Sequence, residues 1–517
     1  MQCMAKVLEV KNNAHIKILQ HKSFSDVTPS EIPVYFKLGE LTVVKVELAE
    51  IHISMSDRLP IANCGDGVAV NLKAARVGAE LYGFMCCDYR CSSHSIDGCW
   101  KRLARSETMC VEEAKLLYNS LKAVVKHFKY SGKSKEILDN SMNALEMGSV
   151  HLLNWCATRM AHFVVACQRF DELLLPVYNA MYTLDLKKEE RDKLFQSSNI
   201  YTMKLISDLH GLMHNKLQRK CDKDDHLVSE TFMLAQETAS NVRSVVTPKA
   251  DQFVQSLHFD GNGNLMFVEV LSENDHSLRL SDSHKPNRFI TEQDRLDSIK
   301  NNMKKIKAEV LKNIYDNISD QVSDDTYYFN WSGLDLADKG STIQDRLDKL
   351  DPLIQLFTTD RTHKVQSYKD AKETKTIPTT WKGYGIYLHY PPVLSCSDKD
   401  LKSEIQSSWP SVGKLYQKCY QELRGKPSQR EVWRKFLHSP DSRIMYPNMC
   451  SLIQILLATP SNTSALERSY SSLEMISAPR RNPLNPEHLE LLYLLKALKL
   501  PVKSSAEYAD AVELLSV

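Results

Sequence analysis

Apolar positions change their period along this chain. Between positions 34 and 90 they alternate with polar ones or form short blocks. Val43, Val44, Val46, Leu48, Ile51 and Ile53 come first, then 59–64 and 81–87, with Gly65, Gly67, Gly78 and Gly83 as punctuation. Such alternation and such blocks predict strands, and the glycines predict turns. From about position 112 the spacing becomes three and four. Val111, Ala114, Leu117, Leu121, Val124, Val125 and Phe128 make one helical stripe, and similar stripes recur in 151–179, 188–219, 226–245 and 289–318. Segment 247–283 reads as loop, with a turn at 260–264. Segment 319–400 holds the linker candidates, 358–380 foremost. Helical spacing resumes at 401–423 and 429–437.

The C-terminal stretch 446–500 is the most informative. Pro447 suits the first position of a helix. The helix that follows, 448–458, is apolar almost all round, as a buried helix is. Pro460 stops it, and Ser461 or Thr463 can cap the next, at about 464–477. On that helix Leu466, Tyr470 and Leu473 share one face, and Glu467, Ser471 and Glu474 lie beside it. Asn485 and Pro486 open a third helix carrying Leu489, Leu491, Leu492, Leu494, Leu495, Ala497 and Leu498. A helix apolar on more than one face needs cover on each, from the chain's own core or from a second subunit.

Composition narrows the class. A chain of 517 residues, 43% hydrophobic and 25% charged, supports two or three globular units. A net charge of +2 excludes a generally basic nucleic-acid coat, so any such surface is local. The Lys/Arg-rich stretch 101–135 is a candidate, although charge runs are more often solvated helix faces. The 13 cysteines are odd in number and irregularly spaced, which predicts free thiols in a reducing compartment. No apolar run approaches a membrane span, and the first residues lack a signal-peptide core. Cytosol or nucleus is the expectation.

Trp433, Tyr446-Pro447, Thr459-Pro460, Ser464, Glu467-Arg468, Tyr470-Ser471, Arg481-Asn482, Leu484 and Leu491-Leu492 stand in the order of a known motif set. The segment resembles the C-terminal dimerisation region of the hAT family of DNA transposases. The resemblance implies a homodimer built through Leu452, Ile455, Leu456, Leu491, Leu494, Leu495 and Leu498. It implies an α/β chain, mostly α overall, with an RNase H-like core interrupted by a large all-helical insertion. The expected domains are 1–110 (a degenerate N-terminal part of that core), 111–400 (insertion and linkers) and 401–517 (core helices with the dimerisation region). The family cleaves DNA with two Asp and one Glu holding divalent metal. Asp66, followed by Gly67, Ala69 and Asn71, matches the second Asp, and Glu467 matches the Glu. Cys91 and His94 match a Cys-x-x-His motif after the next strand. Thr158 and Arg159 match a Thr-Arg-Trp motif, with Met160 in place of Trp.

The departures shape the functional expectation. Asp26 and Asp57 are the only Asp residues before Asp66, and Asp26 sits in Ser/Thr/Pro surroundings that read as a loop. No Cys-x-x-Cys with His-x-His stands before residue 60, so the family's DNA-reading zinc finger has no match. Met160 lacks the π-face with which Trp stacks a flipped base. Cys87, Cys91 and His94 have few neighbouring ligands for zinc, and a metal-free structural role is expected. The resemblance therefore implies a domesticated, non-catalytic, dimerising nuclear protein with no cofactor and no membrane partner, with DNA or chromatin as candidate partners. Two alternatives stand beside it. One is an active hAT transposase using Mg²⁺ at a carboxylate site, and the other is a helical interaction scaffold without nucleic-acid binding.

Overall fold

The computed structural model describes residues 62–65, 86–358 with short breaks (109, 149, 156–159, 185–187, 224, 272–273, 282–289 and 324–325), 386–387, and 394–463 except 424. It is mostly helical and divides into two compact units. The first takes in the described residues of Met1–His94, Cys221–Thr231 and Asp325–Val517; the second takes in Ser95–Lys220 and Phe232–Asp324.

The first unit contains a small sheet. β1 (Ala62–Gly65) pairs in parallel with β2 (Cys86–Arg90), and β2 pairs antiparallel with β6 (Ile386–Tyr387). The β1–β2 register sets Gly65 opposite Arg90, so both strands end at the same level. An RNase H-like core remains an expectation, since three short strands define a pairing and not that fold.

The second unit runs through α1 (Ser92–Arg105) from Ser95 on, α2 (Glu112–Tyr130), α3 (Gly132–Ala144), α4 (Ala161–Glu172), α5 (Leu174–Thr183), α6 (Lys188–Leu194), α7 (Ser197–His210), α8 (Val228–Arg243) from Phe232 on, and α9 (Pro248–Gln255). The predicted stripe of α2 is the observed buried face, from Ala114 to Phe128. Glu112 and Glu113 in its first turn and Lys129 in its last complement the helix dipole. α7 is central. Every residue from Asn199 to Ser207 is buried, against α4, α9 and α2. It continues through a π-helical stretch, Gly211–Gln218. The buried lysine of α7, Lys204, is paired with Asp171 at 2.8 Å and lies 3.6 Å from Glu269. A buried ammonium without such partners would be strongly destabilising.

Two expectations change here. Segment 247–283 is not loop. It holds α9 and an antiparallel meander, β3 (Leu257–Phe259), β4 (Leu265–Leu271) and β5 (Asn274–Arg279). The predicted turn joins β3 to β4. Asp260 accepts the amides of Asn262 and Asn264, and Gly263 takes φ +73°. Buried Leu265, Phe267 and Leu278 anchor the strands, a signal too sparse to stand out beside the turn residues. Segment 319–400 is likewise not all linker. After α10 (Glu292–Ile318), which opens with a Thr291–Asp294 capping box, come α11 (Thr326–Trp331) and α12 (Ile343–Phe357). α12 has its own capping box, Thr342–Asp345, and a buried stripe of Leu347, Leu350, Leu353, Ile354 and Phe357. Segment 358–380 lies, apart from Thr358, outside the described residues.

The remaining helices are α13 (Asp398–Leu423), α14 (Gln429–His438), α15 (Pro440–Met445) and α16 (Pro447–Ala458). Pro447 opens α16 as expected. α16 packs on α13 and α14 around Trp433 and Phe436. Arg346 is buried beside them. Its guanidinium donates to the carbonyls of Gly333, Asp335 and Asp338 and lies over the Trp409 ring. A side chain at Gly333 would meet Leu350 and the Arg346 carbonyl at about van der Waals overlap, so the helices close only with glycine there.

In the second unit Asp97 accepts the amide of Ala161, the first residue of α4, at 2.6 Å. An orphan helix amide is satisfied across 64 residues of sequence. Asp97→Ala is expected to lower the urea midpoint by an amount equivalent to about 1–3 kcal/mol. Asp97→Asn, which keeps an acceptor, should lose less.

Candidate functional site

The C-terminal ends of adjacent parallel strands are where open α/β sheets place their ligands, and they are the part of the first unit where distant segments meet. β2 ends at Arg90, and Cys91 follows. The Cys91 amide donates to the carbonyl of Gly65, the last residue of β1, at 2.7 Å. Ser92 then starts α1. Its amide and its hydroxyl both donate to the Ser461 carbonyl, at 3.2 and 3.0 Å. A helix N-terminus leaves its first amides without intrahelical partners, and the 461–463 loop supplies an acceptor for one of them.

Cys91 is fully buried. The Thr463 amide donates to its Sγ at 3.2 Å and the Thr463 hydroxyl at 3.4 Å; that hydroxyl also lies 3.5 Å from His94 Nδ1. Burial works against a thiolate here. Hydrogen bonds from Cys64, His94 and Thr463, with the charge of His94, outweigh it and hold the Cys91 thiol well below its ordinary range. Cys91 and His94, expected from sequence as a structural pair, thus join two strand ends to the C-terminal region. Among the described residues no group of three or more His, Cys, Asp or Glu is arranged to hold a metal ion.

A third segment closes the cluster. Asn462 donates to the Cys221 carbonyl, Ser461 donates to the His226 carbonyl at 3.4 Å, and Ser93 donates to Asp222. His226 Nε2 lies 2.9 Å from the Thr231 hydroxyl, and Glu230 accepts the Leu227 amide at 2.9 Å. Burial, and then the carboxylates of Asp335 and Asp225, push Glu230 up to about 7 against the Leu227 hydrogen bond and Lys426. Burial pushes the Cys221 thiol up as well. None of Ser92, Asn462, His226 or Glu230 was legible as a site residue. Ser461 and Thr463 read only as helix caps.

The other sequence candidates divide as follows. Asp66 and Glu467 lie outside the described residues. Their described flanks, Gly65 and Thr463, both hydrogen-bond to Cys91. Thr158 and Arg159 also lie outside. Met160, next to them, is fully buried in the second unit and offers no face to a base. Leu452 and Leu456 are fully buried and Ile455 is 6% exposed within a single chain. α16 packs these side chains into the region's own core. Leu491, Leu494, Leu495 and Leu498 lie outside the described residues.

Glu230 generates a pH prediction. Its folded pKa is raised to about 7 from the ordinary 4.5, so the folded state favours the protonated carboxyl. That contribution is fully present below the unfolded value and is lost as pH rises through about 7. Glu230→Gln, which retains an acceptor for Leu227, is expected to raise Tm at pH 8 by roughly 2–4 °C, the shift of about 1 kcal/mol for a unit of this size. Near pH 4 the difference should vanish. A variant equally shifted at both pH values would contradict the assignment.

Comparison with known proteins bears on the C-terminal part. The model of the hAT family C-terminal dimerisation region matches residues 432–497. No curated protein matches the chain. The matched span begins in α14, includes α15, α16 and the 461–463 loop, and takes in the position of Glu467. Over these 66 of its 517 residues the chain is similar to the hAT C-terminal dimerisation region.

Proposed function

We propose that the protein is a dimerising, non-catalytic descendant of a hAT transposase that acts in the nucleus on DNA or chromatin. The observation that carries the reading is the dimerisation region at 432–497. Leu452, Ile455 and Leu456 of that region are buried within the chain, and self-association is assigned to the third, leucine-rich helix expected at 487–500. The non-catalytic part rests on chemistry. Two-metal cleavage needs carboxylates placed to fractions of an ångström. The resemblance matches two, Asp66 and Glu467, and finds no third at a strand end. Burial of Met160 adds to this, because the position that stacks a base in the family is here part of a core.

One observation favours a second reading, a retained nuclease. Gly65 and Thr463, the described flanks of Asp66 and Glu467, meet at Cys91. In that case Asp66 and Glu467 would hold Mg²⁺, which would orient water and the leaving oxygen of a phosphodiester.

Two measurements separate these readings. Light scattering at tens of micromolar is expected to give twice the chain mass, and Leu491→Asp/Leu495→Asp to give a monomer. Wild-type monomer would remove the dimer. With supercoiled plasmid and Mg²⁺ or Mn²⁺, no nicking is expected. Nicking that Asp66→Asn abolishes would establish the nuclease instead.

A further inference from the structure

Between Glu113 and Glu136 the sequence has six lysines and no carboxylate. Four of the six, Lys115, Lys122, Lys126 and Lys129, lie on α2, and all four are exposed. At 3.6 residues per turn they fall within about 60° of one another and form a straight ladder about 21 Å long. The adjoining face, centred about 110° round the helix, is the buried stripe that packs on α7, so the ladder stands on a rigid helix. Lys133 and Lys135, also exposed, extend the positive run into α3.

We infer that this lysine ladder is a docking surface for the phosphate backbone of a DNA duplex. The first argument is the charge the helix leaves unbalanced. Lysines three and four residues apart repel one another. A solvated helix face ordinarily interleaves acids at that spacing, as α10 does, where Lys305 and Lys312 stand four residues before Glu309 and Asp316. Among the described residues Lys115 pairs with Glu112 at 3.9 Å, Lys129 lies over the Tyr130 ring at 5.6 Å, and Lys122, Lys126 and Lys129 form no ion pair. The chain's net charge of +2 makes this a local excess, complementary to a regular polyanion.

The second argument is the kind of cation. Lysine is a point charge that binds phosphate without reading bases, whereas bidentate guanine contacts favour arginine. The ladder carries no arginine, so binding is expected to be sequence-independent and strongly salt-dependent. A rigid linear row suits a regular backbone better than a flexible acidic peptide. The inference rests on the DNA part of the proposed function and gives that part a surface.

The test is fluorescence anisotropy with a short random-sequence DNA duplex, over roughly 50–200 mM salt. Four contacts predict that log affinity falls against log salt with a slope of about −3.6. Lys122→Glu/Lys126→Glu/Lys129→Glu should weaken binding by at least about tenfold, and the Gln triple should flatten the slope by about 2.7. The control is Lys304→Glu/Lys305→Glu/Lys312→Glu, which makes the same change in net charge on exposed positions of α10. It should bind like wild type. Unchanged circular dichroism and urea midpoint would show each variant folded. Equal loss in ladder and control variants would overturn the inference, as would poly-glutamate competing as well as duplex. If wild type binds duplex and the ladder variants bind equally, only the ladder falls. If wild type binds no duplex at low salt, the DNA part of the proposed function falls with it.

Discussion

The 461–463 loop is held by hydrogen bonds to strand ends and a helix start that lie 369 to 372 residues earlier in the chain. Ser461 offers its carbonyl to Ser92, and Thr463 offers its amide and hydroxyl to the sulfur of Cys91. Without the loop, the amide and hydroxyl of Ser92 and a buried sulfur would lose partners together, and each buried polar group left unpaired costs about 1–3 kcal/mol. The arrangement also explains the chemistry of Cys91. Burial alone would raise its pKa, and it is the donors brought by the loop and by His94 that reverse the direction. The dimerisation region is thus fastened to the sheet of its own unit.

Each unit handles buried charge in a different way. In the first, Arg346 forms no ion pair among the described residues. It spends its donors on three backbone carbonyls and lays its plane on Trp409, which ties α12 to the turn before it and to α13. In the second, Lys204 and Lys249 share Asp171, and Lys249 also reaches Ser207 at 3.1 Å. That network fixes α7 against α4 and α9. Because α2 packs on α7, the same network supports the helix that carries the exposed lysines. A rigid base is what lets a row of like charges persist on one face without fraying.

Helices with strong periodicity were legible because burial repeats every three or four residues whatever packs against them. α2, α10, α13, α14 and α16 all begin and end near their sequence bounds. The β3–β5 meander was not, because its strands bury only alternate side chains and sit among turn residues that dominate a short window. α12 was hidden inside a segment rich in Lys, Thr and Asp, although its Thr342–Asp345 capping box is readable in retrospect. Of the candidate site, Cys91 and His94 were legible through the family motif. Their partners were not, because Ser461, Thr463 and His226 carry no local pattern. They matter only for where the fold puts their hydrogen-bonding atoms.

By itself the sequence determined the helical character of the chain, the bounds of most long helices and the dimerisation region, since these rest on local periodicity and on an ordered run of residue types. Tertiary structure alone decided which apolar residues of α16 face inward, that Met160 is core, and that the ends of β1 and β2 meet the 461–463 loop. Those outcomes depend on contacts between residues hundreds of positions apart. Burial and hydrogen-bond geometry at such distances belong to the folded chain and leave no trace in any one window of sequence.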